Sequence, residues 1–365
     1  MKKILVLALA LVMLLGVVST ANAEFAPIAK EDLKIGFVYI GDISDAGYTY
    51  AHHQGTVGMQ QAIGLTEDQI VLKRNISDSS ASDTENAIRE LIEAECNVII
   101  GISFGYMDTM EELADEYPEV IFAHCSGYKS NGENFSNYFG RIYEARYLAG
   151  IAAGLKTENN QLGYVAAFDT VPEVVYSLNA FYLGAKSVNP DVKMTVKSVG
   201  SWYDPTTERQ VADALLDAGC DVLGMHCDTT GPVVAAQEKG KWAVGYNADM
   251  SEAGPDAYLT APIWHWDVYL TELVQSIIDG TYSAENALPG MAEGLVDLAP
   301  LSDNVAEGTA EAIDAAKAEI LSGEFGVFEG PIYDNQGNLM VAEGETMTAA
   351  DILNITWFVE GITVE

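Results

Sequence analysis

Residues 33–74 read LKIGFVYIGDISDAGYTYAHHQGTVGMQQAIGLTEDQIVLKR. Leu33 to Ile40 is rich in β-branched and aromatic residues and stops at Gly41-Asp42; a helix-length stretch, Tyr50 to Ile63, follows, and Gln69 to Arg74 is β-rich again. Strand, helix and strand joined by short polar turns form a βαβ unit, whose two strands lie parallel. Outward from this unit the pattern repeats. Val98 to Ile102 and Val120 to His124 read as further strands, with helices over Ser82 to Ala94 and Met107 to Glu116. A second cycle places strands at Gln161 to Ala167, Lys193 to Val199, Val222 to His226 and Trp242 to Tyr246, and helices near Pro172 to Ser187, Pro205 to Ala218 and Gly231 to Lys239. The expected fold class is therefore α/β, with two doubly wound parallel-sheet lobes joined by a hinge. The helix Arg141 to Lys156 joins the cycles, and Ala257 to Ile263 with the helix Trp266 to Asp279 forms a return crossing. Residues 33–140 with about 264–300 are assigned to the first lobe, and 141–263 with about 301–365 to the second.

The N-terminus stands apart from this alternation. Lys2 and Lys3 precede an apolar run from Ile4 to Val18, and small residues at Ala21 and Ala23 follow. Charged start, short apolar core and small-x-small end read as an export signal over residues 1–23, cleaved before Glu24. The run is too short for a stable membrane span. Val17 stands where a lipid-anchor signal would carry cysteine, so the protein is expected to be exported, soluble and without a lipid anchor, in the periplasm or outside the cell.

Of 365 residues, 49% are hydrophobic and 20% charged, as in folded globular proteins. Lys+Arg 18 against Asp+Glu 54 gives a net charge of -36, which repels nucleic-acid backbones and anionic lipid surfaces. Neither is an expected partner. Four cysteines in an exported chain raise the question of disulfides. Cys96 and Cys125, and likewise Cys220 and Cys227, fall at opposite strand ends, on the order of 20 Å apart by strand rise, so all four are read as buried free thiols.

Ligands of open α/β sheets bind beyond the carboxyl ends of strands. Those places hold Gly41 to Tyr50, Ser103 to Tyr106, Gly200 to Pro205, His226 to Gly231 and Tyr246 to Asp249. Trp202, just ahead of a helix start at Asp204-Pro205, is suited to stack on a flat ligand, the alternative being a lid over the local core. Tyr48 opens a helix after the Asp45-Gly47 turn and is a second candidate, or else a half-buried surface tyrosine. Phe104 sits in a third strand-end loop. His226 and Asp228 share one face of a strand end, suited to hydrogen bonding or acid/base work, with Asp228 alternatively capping the next helix. Asn247 and Asp249, two apart, are expected on one side, reading donor and acceptor edges of a polar ligand or capping a loop. His52 and His53 are adjacent and cannot share a metal on a helix, so no metal or other cofactor is expected. No nucleophile elbow, phosphate loop, zinc-protease or dinucleotide motif is present, which favours a binding protein over an enzyme.

In this order and spacing, KIGFVYIGDISDAGYTYAHHQG, IIGISFGYMD, EVIFAHCSG, GSWYDPTTERQVADALLDAGCDVL, GYNADMS, FEGPIYDNQGNLMVAEGE and WFVEGI resemble the basic membrane protein family, the purine nucleoside receptors of ABC importers. The resemblance spans nearly the whole mature chain, and GYTYAHHQG and SWYDP resemble its purine-binding branch. It implies a type I periplasmic-binding-protein fold, a ligand enclosed between the lobes and delivery to an ABC permease, with the protein acting as a monomer. It also implies that Tyr48 and Trp202 sandwich the purine. Asn247 takes the place of the first acid of the family's D-S-D motif, used there on the ribose, and Trp264 the place of a lysine. The expected ligand is accordingly a free purine base such as adenine, hypoxanthine or guanine, with a nucleoside as the alternative; a secreted hydrolase using Asp228 and His226, or a sensor subunit, are the competing classes.

Overall fold

A computed structural model describes residues 25–365, so the export signal expected over residues 1–23 lies outside the described residues. The opening βαβ unit is β1 (Ile35–Val38), α1 (Tyr48–Ile63) and β2 (Ile70–Lys73), continued by α2 (Ala81–Glu93), β3 (Val98–Gly101), α3 (Met107–Glu116), β4 (Ile121–Cys125) and β5 (Phe135–Tyr138). All these strands are parallel in the order β2-β1-β3-β4-β5. β1, β3, β4 and β5 are buried throughout, as a sheet covered by helices on both faces requires.

Helix α4 (Ile142–Lys156) leads to the second sheet: β6 (Gln161–Ala166), α5 (Pro172–Val188), β7 (Lys193–Ser198), α6 (Pro205–Asp217), β8 (Val222–His226), α7 (Gly231–Glu238) and β9 (Trp242–Ala243). The remaining elements are β10 (Pro262–Trp264), α8 (Trp266–Asp279), β11 (Asn286–Ala287), β12 (Val296–Leu298), α9 (Thr309–Ser322), β13 (Ile332–Tyr333), β14 (Leu339–Val341), α10 (Ala349–Ile352) and β15 (Ile362–Val364). β15 returns to edge the second sheet, which runs β15-β7-β6-β8-β9, and β11 returns to edge the first beside β5. β10 and β12 form an antiparallel ribbon of their own packed on α4, while α8 packs on α1.

Helix α4 is buried on all sides from Ile142 to Gly154. Its contact with α5 is backbone to backbone: a Cβ on Gly150 would lie 1.9 Å from the Phe181 carbonyl oxygen, and one on Gly184 1.9 Å from that of Tyr147. Only glycine admits this approach.

One expected strand is shorter than read. The β8 register ends at Leu223–Ala243; the Val244 amide still donates to the Leu223 carbonyl, while the amides of Ala243 and Gly245 donate on the other side to the carbonyls of Ala257 and Thr260 of the returning chain. Asn247 then takes φ 70, in the left-handed region. This breaks the two-residue alternation expected to put Asn247 and Asp249 on one side: Asn247 is buried and Asp249 is exposed.

Candidate functional site

The carboxyl ends of the two sheets face each other across a narrow cavity. Tyr48, Ile40, Ile102, Ser103, Phe104 and Ser126 line it from the first sheet's side. Glu173, Trp202, His226, Asp228 and Tyr246 line it from the second. A wider vestibule shares Ile40, Trp202 and Asp228 with the cavity and carries Asp42, Asp45 and Asp78 on its wall.

Each side chain is placed by the end of a strand or the start of a helix. Asp45 accepts from the amides of Gly47, Thr49 and Tyr50, which fixes the first turn of α1 and with it Tyr48. The Tyr48 hydroxyl donates to Cys125 Sγ at 3.3 Å, and its ring lies edge-on to His52 at 4.4 Å. Asp204 caps α6 by accepting from Thr206 and Thr207, as its position before Pro205 leads one to expect. Two residues earlier Trp202 is half-buried, edge-on to Phe168 at 5.1 Å, and its carbonyl accepts from the Asp228 amide at 3.0 Å. Phe104 is 43% exposed at the cavity lip.

His226, at the end of β8, has its Nε2 3.3 Å from Glu173 Oε1 and its ring 4.6 Å from that of Tyr246. Beneath them Arg146 of α4 is fully buried; its Nη1 donates to the Met225 carbonyl at 2.6 Å and its guanidinium lies 3.6 Å over the Tyr246 ring. Burial pushes the Glu173 carboxyl up to about 7 against the pull of Arg146. Burial, aided by Arg146, holds His226 well below the usual imidazole range, so it is neutral at physiological pH. Asp228 is raised well above the usual carboxylate range by burial first, then by Asp45 and Glu208.

Three of the residues singled out in the sequence do not line this cavity. Asp249 is exposed, and its Oδ1 accepts from the Ser251 amide at 2.8 Å, so it caps a turn. Trp264 is buried, stacked on Trp266 at 4.4 Å and beside Phe139 at 5.0 Å. Its Nε1 donates to Asn247 Oδ1 at 3.1 Å, and Asn247 Nδ2 donates to Asp228 Oδ1 at 3.1 Å. Both ends of the Asn247 amide are therefore used inside the protein, one layer behind the cavity. Tyr48, Phe104, Trp202, His226 and Asp228 are brought together. Glu173 and Tyr246 line the cavity without having been singled out, and Arg146 lies behind them; an arginine in the middle of a largely apolar, glycine-spaced helix, away from the charged Glu144 and Lys156 near its ends, was the available signal. Among the described residues no group of three or more His, Cys, Asp or Glu is placed to hold a metal, and no helix is long and apolar enough to cross a membrane.

Residues 32–329 match the Bmp family, described as ABC transporter substrate-binding protein, PnrA-like. The chain belongs to this family. Among Bmp relatives, a purine-binding protein of Brucella abortus is 36% identical over 334 residues, covering 92% of this chain and 94% of its own. A protein of Haloferax volcanii named as an ABC transporter glucose-binding protein is 39% identical over 313 residues, covering 86% of this chain and 78% of its own. Among solved structures, an ABC transporter solute-binding protein of Aeropyrum pernix K1 superposes with a TM-score of 0.69 over 83% of this chain and 93% of its own, at 18% identity. That likeness shows the fold, the type I periplasmic-binding-protein architecture of two parallel sheets. Bmp proteins are substrate-binding proteins, not enzymes.

Proposed function

We propose that this Bmp protein captures a purine nucleobase between its lobes, outside the cytoplasm, and hands it as a monomer to the permease of an ABC importer. The observation that carries the reading is the meeting of Tyr48 from the first lobe and Trp202 from the second on one cavity whose edge holds Asp228. Two aromatic side chains from opposite sides of one cavity, with a few polar groups beside them, suit a heteroaromatic ring, which offers apolar faces and a hydrogen-bonding edge. The purine-binding relative from Brucella supports the same class.

Base is preferred to nucleoside because ribose hydroxyls need acceptors of their own. The Asn247 amide is already satisfied by Trp264 and Asp228, and Trp264 fills the space behind it with an indole. The relative named for glucose makes a hexose the second reading. A pyranose carries hydroxyls around its whole rim, whereas here the polar groups Ser103, Ser126, Glu173, His226 and Asp228 stand beside apolar walls from Ile40, Ile102, Tyr48, Phe104 and Trp202 that suit the faces of a flat ring. The reading is tested by purifying the protein without added ligand, denaturing it and identifying the released small molecules by chromatography and mass spectrometry. A purine base is expected; stoichiometric release of a hexose overturns the reading.

A further inference from the structure

We propose that Asp228 meets its ligand as a hydrogen-bond donor: Trp264 and Asn247 hold its Oδ1 as an acceptor and so leave the carboxyl proton on Oδ2. The inference rests on the purine reading for the identity of the ligand, but not for the state of the carboxyl.

The argument starts at Trp264. An indole nitrogen only donates, so the Asn247 atom 3.1 Å from Trp264 Nε1 is the amide oxygen. This fixes the orientation of the amide. Its other end, Nδ2, only donates, and it lies 3.1 Å from Asp228 Oδ1. Oδ1 is thereby an acceptor, and Oδ2 has no hydrogen-bond partner among the described residues. Asp228 lines both the cavity and the vestibule, so the oxygen free to meet a ligand is Oδ2.

The surroundings decide whether that oxygen carries a proton. Asp228 is buried, and the acids facing it come from three elements: Asp45 in the loop before α1, Glu173 at the start of α5 and Glu208 on α6. Its chain neighbours His226 and Cys227 and the nearby Tyr246 are all held neutral by burial. No lysine or arginine lines the cavity or the vestibule among the described residues. The buried cation, Arg146, donates through Nη1 to the Met225 carbonyl and lies over the Tyr246 ring; among the described residues its Nε and Nη2 have no hydrogen-bond partner, and it makes no ion pair with Asp228. The Asn247 amide donated to Oδ1 favours the charged form, but it is outweighed by burial and the neighbouring acids, so a carboxyl buried among like charges without a paired cation stays protonated.

A neutral acid donating from Oδ2 reads an unprotonated ring nitrogen, whereas a carboxylate would read N–H groups. The two cases separate in a double-mutant cycle. Asp228→Ala should weaken adenine binding about ten- to hundredfold, as for a buried group left unpaired. One of 1-, 3- and 7-deazaadenine, which lack one ring acceptor each, should show a comparable loss with the wild type and no further loss with Asp228→Ala. Coupling of Asp228 instead to 9-methyladenine, which lacks a ring N–H, overturns the proposal. Asp228→Asn, which keeps an acceptor for Asn247 and an N–H for the cavity, should recover part of the loss; a deficit equal to alanine's counts against it. Infrared difference spectra of ligand-free wild type against Asp228→Asn at neutral pH give a readout independent of any ligand. A protonated carboxyl stretch supports the proposal even if adenine fails to bind, an outcome that would sink the purine reading alone, and a carboxylate band overturns it.

Discussion

Replacing Gly47 by alanine should hold the cleft ajar. Gly47 lies in the first lobe's loop ahead of α1, and a Cβ built on it stands 2.3 Å from the Asp228 carbonyl oxygen, 2.8 Å from its carbon and 3.0 Å from its Cα. These are backbone atoms of the second lobe, which no rotamer change can move aside. Non-bonded heavy atoms sit best at about 3.5–4.0 Å, so the two loops must part by roughly 1 Å. Overpacking of this kind costs about 1–3 kcal/mol. If the lobes hinge, that cost falls on the closed form alone, and ligand affinity should drop about five- to hundredfold. An open cleft relieves the contact, so the ligand-free melting temperature should stay near that of wild type while the rise on adding adenine shrinks. Calorimetric titration with adenine, paired with solution scattering, measures both parts: weaker binding and a smaller decrease in radius of gyration. Wild-type affinity together with wild-type compaction would refute the idea that Gly47 and Asp228 are a point of interlobe closure.

Three further outcomes are expected. Trp202→Ala should weaken binding of a purine by roughly ten- to a hundredfold, since stacking a base on an aromatic ring is worth about 1–3 kcal/mol; titration checks it, and unchanged affinity removes Trp202 from the platform. Glu173 is raised to about 7 in the folded chain from 4.5, so its protonated form stabilises the fold fully below pH 4.5 and that contribution is lost as pH rises through 7. Glu173→Gln should accordingly raise the ligand-free melting temperature at pH 8, by up to roughly 3 kcal/mol of stability, and change it little at pH 4; equal effects at both pH values contradict the sign. The four cysteines are free and buried, so thiol titration should find four thiols in denatured, unreduced protein and slow reaction in native protein, fewer thiols pointing to a bridge.

The long, periodic elements were legible in the sequence because period alone specifies them. Helices α3 and α8 fall at Met107–Glu116 and Trp266–Asp279, where the apolar spacing places them. The sheet edges were not legible. β11 and β15 contain two and three residues, too few to carry a period, and their pairing is decided by where the chain returns after α8 and α10. β5 reads Phe-Ser-Asn-Tyr, and its polar members are buried on specific hydrogen bonds: Asn137 Nδ2 with His124 Nδ1 at 3.1 Å, and Ser136 Oγ with the Phe122 carbonyl at 3.3 Å. In the site, strand-end aromatics and His226-Cys227-Asp228 stood out because few other constraints put such residues there. Glu173 did not, since an acid after Pro172 is what any helix start would carry. Asn247 illustrates a different failure. Its residue type was read as facing the ligand, but a left-handed backbone turned it toward Trp264 instead.

The central claim, capture of a purine base between the lobes, is tested most directly by calorimetric titration of refolded, ligand-free protein with adenine, hypoxanthine, adenosine, inosine and glucose under one buffer condition. The account predicts one-to-one binding with a base tighter than its own nucleoside and no measurable heat from glucose. A nucleoside that binds more tightly than its base, or saturable binding of glucose in place of the purines, would contradict it.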